Sequence, residues 1–381
     1  MKRIFLVLFA IVVSLLIVEL ILAWISPRSP IFDPRLALYP YFRIERHPTI
    51  RGLASPAFYT TNAWGLRGTD PPLPFRNAYS IITVGGSTTM CALNDDERTW
   101  PAVMERELKS SDLFDRPVWV ANAGVDGQTS WGHRVVMERV IGTIKPDCAL
   151  LMVGLNDASL CLAGRETAGP ADEWLVLDPR KSGKSKLFWN SRLLQFLWLE
   201  DRLRSRRVVP GAYAHRQIKF ETATVQQGAP VDTATPDSDL LRILGLPDTI
   251  AHPYAANLRE IIRAGRAMPV RMVLVSQPVL YGHGACDYDG ALLDIEADGA
   301  IRWLADPQRV FRIRDLEALM MYFNRVTERV AREEGVEFFD LAARIPRRQE
   351  YFYDGIHFTD AGSELIGRTV AEYFASRDAR K

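Results

Sequence analysis

The chain has 381 residues and a formal net charge of +1, enough for one large domain or two average ones. With 48% hydrophobic and 24% charged residues, it has the composition of a globular protein. The near-neutral balance excludes a global field for nucleic acid or an acidic polymer.

The first element is apolar. Residues 4–25, IFLVLFAIVVSLLIVELILAWI, follow Met1-Lys2-Arg3 and carry one charge, Glu19. About 20 apolar residues cross a bilayer. The run is longer than a signal-peptide core, and no small-x-small cleavage site follows it cleanly. Residues 1–30 therefore read as an uncleaved single-pass anchor, with a cleaved signal peptide as the alternative. Lys2 and Arg3 hold the N-terminus in the cytoplasm and place residues 31–381 outside it, in the periplasm if the source is bacterial. Glu19 lies near the outer end and is assigned no role.

Residues 31–78 form a lead-in segment. Its turn-rich, aromatic stretch TTNAWGLRG, residues 60–68, is expected to wrap a sheet edge or line a site. Five short apolar runs then read as strands: 79–84, 117–122, 148–153, 270–276 and 336–341. None alternates cleanly, as expected of parallel strands covered on both faces. Helical patterns lie between them. In 99–109, Thr99 is the expected N-cap and Pro101 sits in the first turn. In 130–144, Ser130 is the expected cap. Further helices are expected over 254–267, over 315–334 with Gly335 as the stop, and from about Thr359 to Phe374. Alternating strands and helices predict a doubly wound α/β/α domain.

Residues 160–250 interrupt this alternation and read as an insertion. Across 180–207 there are nine Lys or Arg against two acids, with Phe188, Trp189, Leu193, Leu194, Phe196, Leu197 and Trp198 among them. Such a stretch suits a membrane surface or a helix covering the active-site face with a solvated basic end. The second is the expectation. Four scattered cysteines form neither a disulfide framework nor a metal site, and Cys148 reads as a small buried hydrophobe.

Ligands of open α/β sheets bind beyond the carboxyl ends of the strands, so the residues that follow each strand matter most. Gly85-Gly86-Ser87-Thr88 follows the first, Asn122-Ala123-Gly124 the second, Gly154-Leu155-Asn156-Asp157 the third and Gln277-Pro278 the fourth. Asp354-Gly355-Ile356-His357 lies beyond the fifth. These residues suit acyl transfer. Ser87 is a nucleophile once a base takes its proton, and His357 titrates near neutrality. Asp354, three residues earlier, can fix the imidazole tautomer. The N–H groups of Ser87 and Gly124 and the Asn156 amide can face an oxyanion. His133 and Gln277 are candidate pocket residues. Asp157 is expected to buttress its loop, and Asp126, Gln128 and Asp340 are expected to be structural.

Other chemistries fit less well. Position 89 is Thr, so Ser87 is not in a Gly-x-Ser-x-Gly elbow. The GKS at 183–185 lacks the upstream glycine of a phosphate loop, residue 178 being Asp. No His, Cys or carboxylate pair has ligand spacing on one helix face, so neither a metal nor another cofactor is expected. Nucleic-acid binding has only the 180–207 stretch in its favour.

The ordered blocks GGST, NAG, GLND and DGIH resemble those of the SGNH (GDSL-type) hydrolases, named for residues that match Ser87, Gly124, Asn156 and His357. The resemblance covers roughly 78–160 and 250–375. It implies a three-layer flavodoxin-like fold with a five-stranded parallel sheet, and ester hydrolysis or O-acyl transfer through a serine acyl-enzyme. The first block departs from the family's usual motif, with Gly86 in place of Asp and Thr88 in place of Leu. The expected function is a serine esterase acting on O-acyl, chiefly O-acetyl, esters of a small molecule or glycan outside the cytoplasm. The alternatives are an O-acetyltransferase of an envelope or exported polysaccharide and a non-catalytic envelope assembly protein. The joint presence of Ser87, Asp354 and His357 argues against the last.

Overall fold

The computed structural model describes residues 2–25, 43–111, 113–162, 191, 193, 234–280 and 313–378. The helix α1 (Lys2–Ile25) is long and apolar enough to cross a membrane or act as a signal sequence, and most of its described large apolar residues, from Ile4 to Ile21, are exposed. The Glu19 Oε2 accepts hydrogen bonds from Ser191 Oγ at 3.0 Å and the Leu193 N–H at 3.1 Å.

Strands β1 (Arg43–Arg46) and β2 (Ala57–Thr60) form an antiparallel pair. The main sheet contains β3 (Tyr79–Gly85), β4 (Val118–Asn122), β5 (Cys148–Met152), β6 (Arg271–Val275) and β7 (Glu337–Phe339). All are parallel, in the order β4-β3-β5-β6-β7. The chain runs outward from β3 to β4, then crosses back to β5. The order thus reverses between β3 and β5, where such sheets leave a crevice.

Along each strand, successive apolar residues go to opposite faces. Ile82, Val84, Leu151 and Leu274 join one core, while Ile81, Leu150, Met152 and Val273 join the other. This two-sided burial explains the absence of polar alternation in the sequence. The first core is closed by α4 (Ser130–Val136), α7 (His252–Arg266) and α8 (Ile313–Glu333) through Val136, Leu258, Ile261, Phe323 and Val326. The second is closed by α3 (Trp100–Lys109) and α9 (Asp360–Asp378) through Trp100, Met104, Leu108, Ile366 and Phe374. Thr99 caps α3 by accepting the Ala102 N–H, a contribution of ~1 kcal/mol. Thr359 caps α9 by accepting the Gly362 N–H.

Three expectations change. The 130–144 helix is not uniform, because α4 passes into a π-helical turn over Met137–Ile141 before its last turn, Gly142–Ile144. Its N-cap is Thr129 rather than Ser130; Ser130 instead donates its N–H and hydroxyl to Asp157. The insertion ends in a helix, α6 (Asp237–Leu244), which buries Leu240, Leu241 and Leu244 in the first core. Arg325 and Arg329 of α8 hold Asp237 in its first turn. The basic stretch 180–207 lies outside the described residues except at Ser191 and Leu193.

The lead-in segment wraps the sheet edge. Beyond β2, Arg67 pairs antiparallel with Asn122 at the end of β4, each N–H meeting the other's carbonyl at 2.9 Å. Trp64 packs edge-on against Phe75 and Trp119 beside that junction.

Candidate active site

Gly85 ends β3, and Gly86 alone separates it from Ser87. A Cβ on Gly85 would fall 2.1 Å from Thr89 Oγ1 and 2.6 Å from the Met152 carbonyl oxygen, and one on Gly86 would fall 2.6 Å from Asn156 Nδ2. Without them, the helix α2 (Ser87–Met90) docks directly on the strand end and the Asn156 amide comes up against its first turn. Ser87 is N1 of α2, so its N–H has no intrahelical acceptor. Ser87 is 8% exposed.

His357 arrives from the loop between β7 and α9. Its Nε2 lies 2.8 Å from Ser87 Oγ, and its Nδ1 lies 2.6 Å from Asp354 Oδ2. An ionised carboxylate only accepts, so Nδ1 carries the proton and Nε2 is left to accept from the serine hydroxyl. Asp354 Oδ1 accepts the N–H groups of Ile356 and His357 at 2.8 and 2.7 Å, which fixes the loop. Tyr353 stacks parallel to the imidazole, with centroids 5.5 Å apart.

Burial acts against both charges, and the pair overcomes it. Desolvation pulls the His357 pKa down, but the charge and hydrogen bond of Asp354 bring it above the ordinary imidazole value. Desolvation pushes Asp354 up, but the His357 charge and the hydrogen bonds it accepts leave it below the usual carboxylate range.

Asn156 opens α5 (Leu155–Leu162), and its Nδ2 donates to the Gln128 carbonyl at 2.8 Å. Among the described residues the other amide hydrogen has no acceptor, and Nδ2 lies beside the Gly86 turn that leads into Ser87. The neighbouring Asp157 holds Ser130 across the loop, at 2.9 Å to its N–H and 2.5 Å to its hydroxyl. Asp157 thus buttresses the first turn of α4.

Gly124 is not placed as expected. Its N–H donates to Asn122 Oδ1 at 2.8 Å, so it is not available to an oxyanion. A Cβ there would fall 2.4 Å from the Met90 nitrogen; the glycine is needed so that this loop can pack against the back of α2. Three residues on, Gly127 has φ +69, and its N–H has no partner among the described residues. The adjoining Gln128 carbonyl lies 3.7 Å from the Cβ position on Gly86, which brings this loop beside Ser87.

The two candidate pocket residues lie behind the site. His133 is 1% exposed, and burial pushes its pKa down to about 4, opposed by the Gly85 backbone; it is a neutral core histidine. Gln277 is also 1% exposed. Its Oε1 accepts from Thr88 Oγ1 at 2.9 Å and its backbone N–H donates to Asn324, so it braces α2 from the rear. Sequence reasoning missed Gly127 and Tyr353. Only Gly127 had a visible signal, a second glycine in the same loop.

The model of the GDSL-like lipase/acylhydrolase family matches residues 82–365. Among solved structures, the chain is similar to a catalytic mutant of an acetylxylan esterase from Geobacillus stearothermophilus. That match has 13% identity over 78% of this chain and 94% of that one, with a TM-score of 0.41. A GDSL-like lipase from Bacteroides thetaiotaomicron matches at 10% identity over 80% and 91%, with a TM-score of 0.38. TesA matches at 15% identity over 76% and 95%, with a TM-score of 0.39. No curated protein sequence matches the chain.

Proposed function

The chain belongs to the GDSL-like lipase/acylhydrolase family, and we propose that it is a serine ester hydrolase whose nucleophile is Ser87. One observation carries this reading: the continuous contact from Ser87 Oγ through the His357 ring to Asp354, at 2.8 and 2.6 Å. It sits beyond the strand ends where the sheet order reverses.

In this mechanism His357 Nε2 takes the Ser87 proton as Oγ bonds to the ester carbonyl carbon. The oxyanion is met by the Ser87 and Gly127 N–H groups and the free Asn156 amide hydrogen, with Gly127 in the role first given to Gly124. Collapse of the tetrahedral intermediate breaks the bond to the alcohol oxygen, which leaves with the proton from His357. Water then repeats the sequence on the acyl-enzyme, releasing the acid. Asp354 keeps Nδ1 protonated throughout. The substrate is an O-acyl ester, with O-acetyl groups on a glycan as the expected class. The reaction takes place outside the cytoplasm, a placement supported by the apolar α1 behind Lys2 and Arg3.

Labelling purified protein with a fluorophosphonate probe, alongside hydrolysis of p-nitrophenyl acetate and longer acyl esters, tests this reading. Wild type is expected to be labelled and to turn over acetate faster than long chains. An unlabelled, inactive wild type overturns the serine mechanism. If sugar acceptors increase p-nitrophenol release without increasing free acetate, the acyl-enzyme serves transfer. Asn156→Ala removes one preorganised donor and is expected to lower kcat on the order of 10²–10³-fold, with folding unchanged by circular dichroism.

A further inference from the structure

The Ser87–His357 contact is made between two loops from distant parts of the chain, and a buried arginine in the lead-in segment ties both together. Arg67 is 3% exposed, and all five of its side-chain N–H groups are used. Nε donates to Asp96 Oδ1 at 2.8 Å, Nη1 to the carbonyls of Met90 and Cys91 at 2.8 and 2.7 Å, and Nη2 to those of Phe58 and Asn94 at 3.0 and 2.7 Å. Met90 ends α2 and Cys91, at φ 52, terminates it in the left-handed region. Their carbonyls lie at a helix end, where intrahelical donors run out; the guanidinium donates to both, and the Asn94 N–H also meets that of Cys91 at 3.1 Å.

The same network continues to the histidine loop. Asn94, held by Arg67 through its carbonyl, donates its Nδ2 to the Phe358 carbonyl at 3.3 Å and to Asp360 Oδ1 at 3.0 Å. Phe358 is the residue after His357. Arg67 also reaches α2 from the other side. Its backbone pairs with Asn122, whose Nδ2 donates to the Thr89 carbonyl at 2.6 Å while its Oδ1 holds the Gly124 N–H. One residue thus anchors the nucleophile turn, the histidine loop and the root of the loop bearing Gly127.

We propose that Arg67, acting through Asn94, is a positioning residue that sets the spacing between Ser87 Oγ and His357 Nε2. This rests on Ser87 being the nucleophile. Lysine cannot replace the arginine, because one ammonium with three donors cannot reach acceptors spread around a planar fork. A displacement of the order of 1 Å between reacting groups costs about 10²-fold in rate.

The test compares wild type, Arg67→Lys and Asn94→Ala in p-nitrophenyl acetate hydrolysis, normalised to serines titrated by the fluorophosphonate probe. Both variants are expected to lose about 10²-fold in kcat per titrated serine, with KM nearly unchanged, and the double variant to lose little more than either. Wild-type kcat per titrated serine in either variant overturns the proposal, as do losses that multiply in the double variant. Should Arg67→Lys fail to fold, Asn94→Ala decides by the same criterion. A wild type that is neither labelled nor active instead sinks the nucleophile assignment itself.

Discussion

Replacing Ser87 by alanine is expected to reduce kcat for p-nitrophenyl acetate on the order of 10⁶-fold, as for removal of a nucleophile from a comparable triad. The argument rests on what the variant leaves behind. His357, Asp354, the Asn156 amide and the N–H groups of residues 87 and 127 all remain, so the oxyanion donors can still polarise the ester. Without Oγ, however, no acyl-enzyme forms, and water must attack the ester directly. The fold should survive. Among the described residues, Ser87 Oγ has one side-chain partner, His357 Nε2, and losing a single hydrogen bond costs about 1 kcal/mol. The variant should therefore keep its thermal midpoint within a few degrees while losing both turnover and fluorophosphonate labelling. Retention of more than a few per cent of wild-type turnover by the folded variant excludes Ser87 as the nucleophile.

The strands were legible because both faces of the sheet are covered. Ile81 and Ile82, or Leu150 and Leu151, can sit side by side in the sequence only when each face buries its own residue. The site was legible in outline for a related reason, since the residues after each strand share one edge of the sheet. Direction was not legible. Gln277 follows β6 as Asn156 follows β5, yet Gln277 turns back against Thr88 while Asn156 turns toward Ser87's turn. No periodicity distinguishes the two. The assignment of Gly124 failed because two glycines occur within four residues and the choice between them is made by the Asn122 side chain folding back on one of them. Arg67 gave no signal because its acceptors are mostly backbone carbonyls, which carry no residue identity. His133 illustrates the same limit from the other side: a histidine near a site in sequence was buried behind it.

Asp354→Asn is expected to lower the plateau of kcat/KM about 10⁴-fold, and its pH profile separates two explanations of the carboxylate. In wild type the charge of Asp354 favours the imidazolium, so the His357 pKa lies above its ordinary value, near 6.5 for a free imidazole. Protonated His357 cannot accept the Ser87 proton, so kcat/KM should rise with pH, and the midpoint of that acid limb should lie above about 6.5. Removing the charge lowers the histidine pKa and leaves more of it neutral at pH 6. If Asp354 acted only through this charge, the variant would gain activity relative to wild type on the acid side. The geometry predicts the reverse. In the variant, the carbonyl oxygen of the substituted side chain can still accept the Ile356 and His357 N–H groups, so the loop is preserved. Its amide –NH₂ then takes the place of the present Oδ2, 2.6 Å from Nδ1, and makes Nδ1 the acceptor. The imidazole proton moves to Nε2, aimed at Ser87 Oγ, and the ring becomes a donor where a base is needed. The acid limb should therefore shift to lower pH while the plateau falls by orders of magnitude. A variant whose plateau stays within tenfold of wild type, whatever its midpoint, would show that the tautomer held by Asp354 is not what activates Ser87.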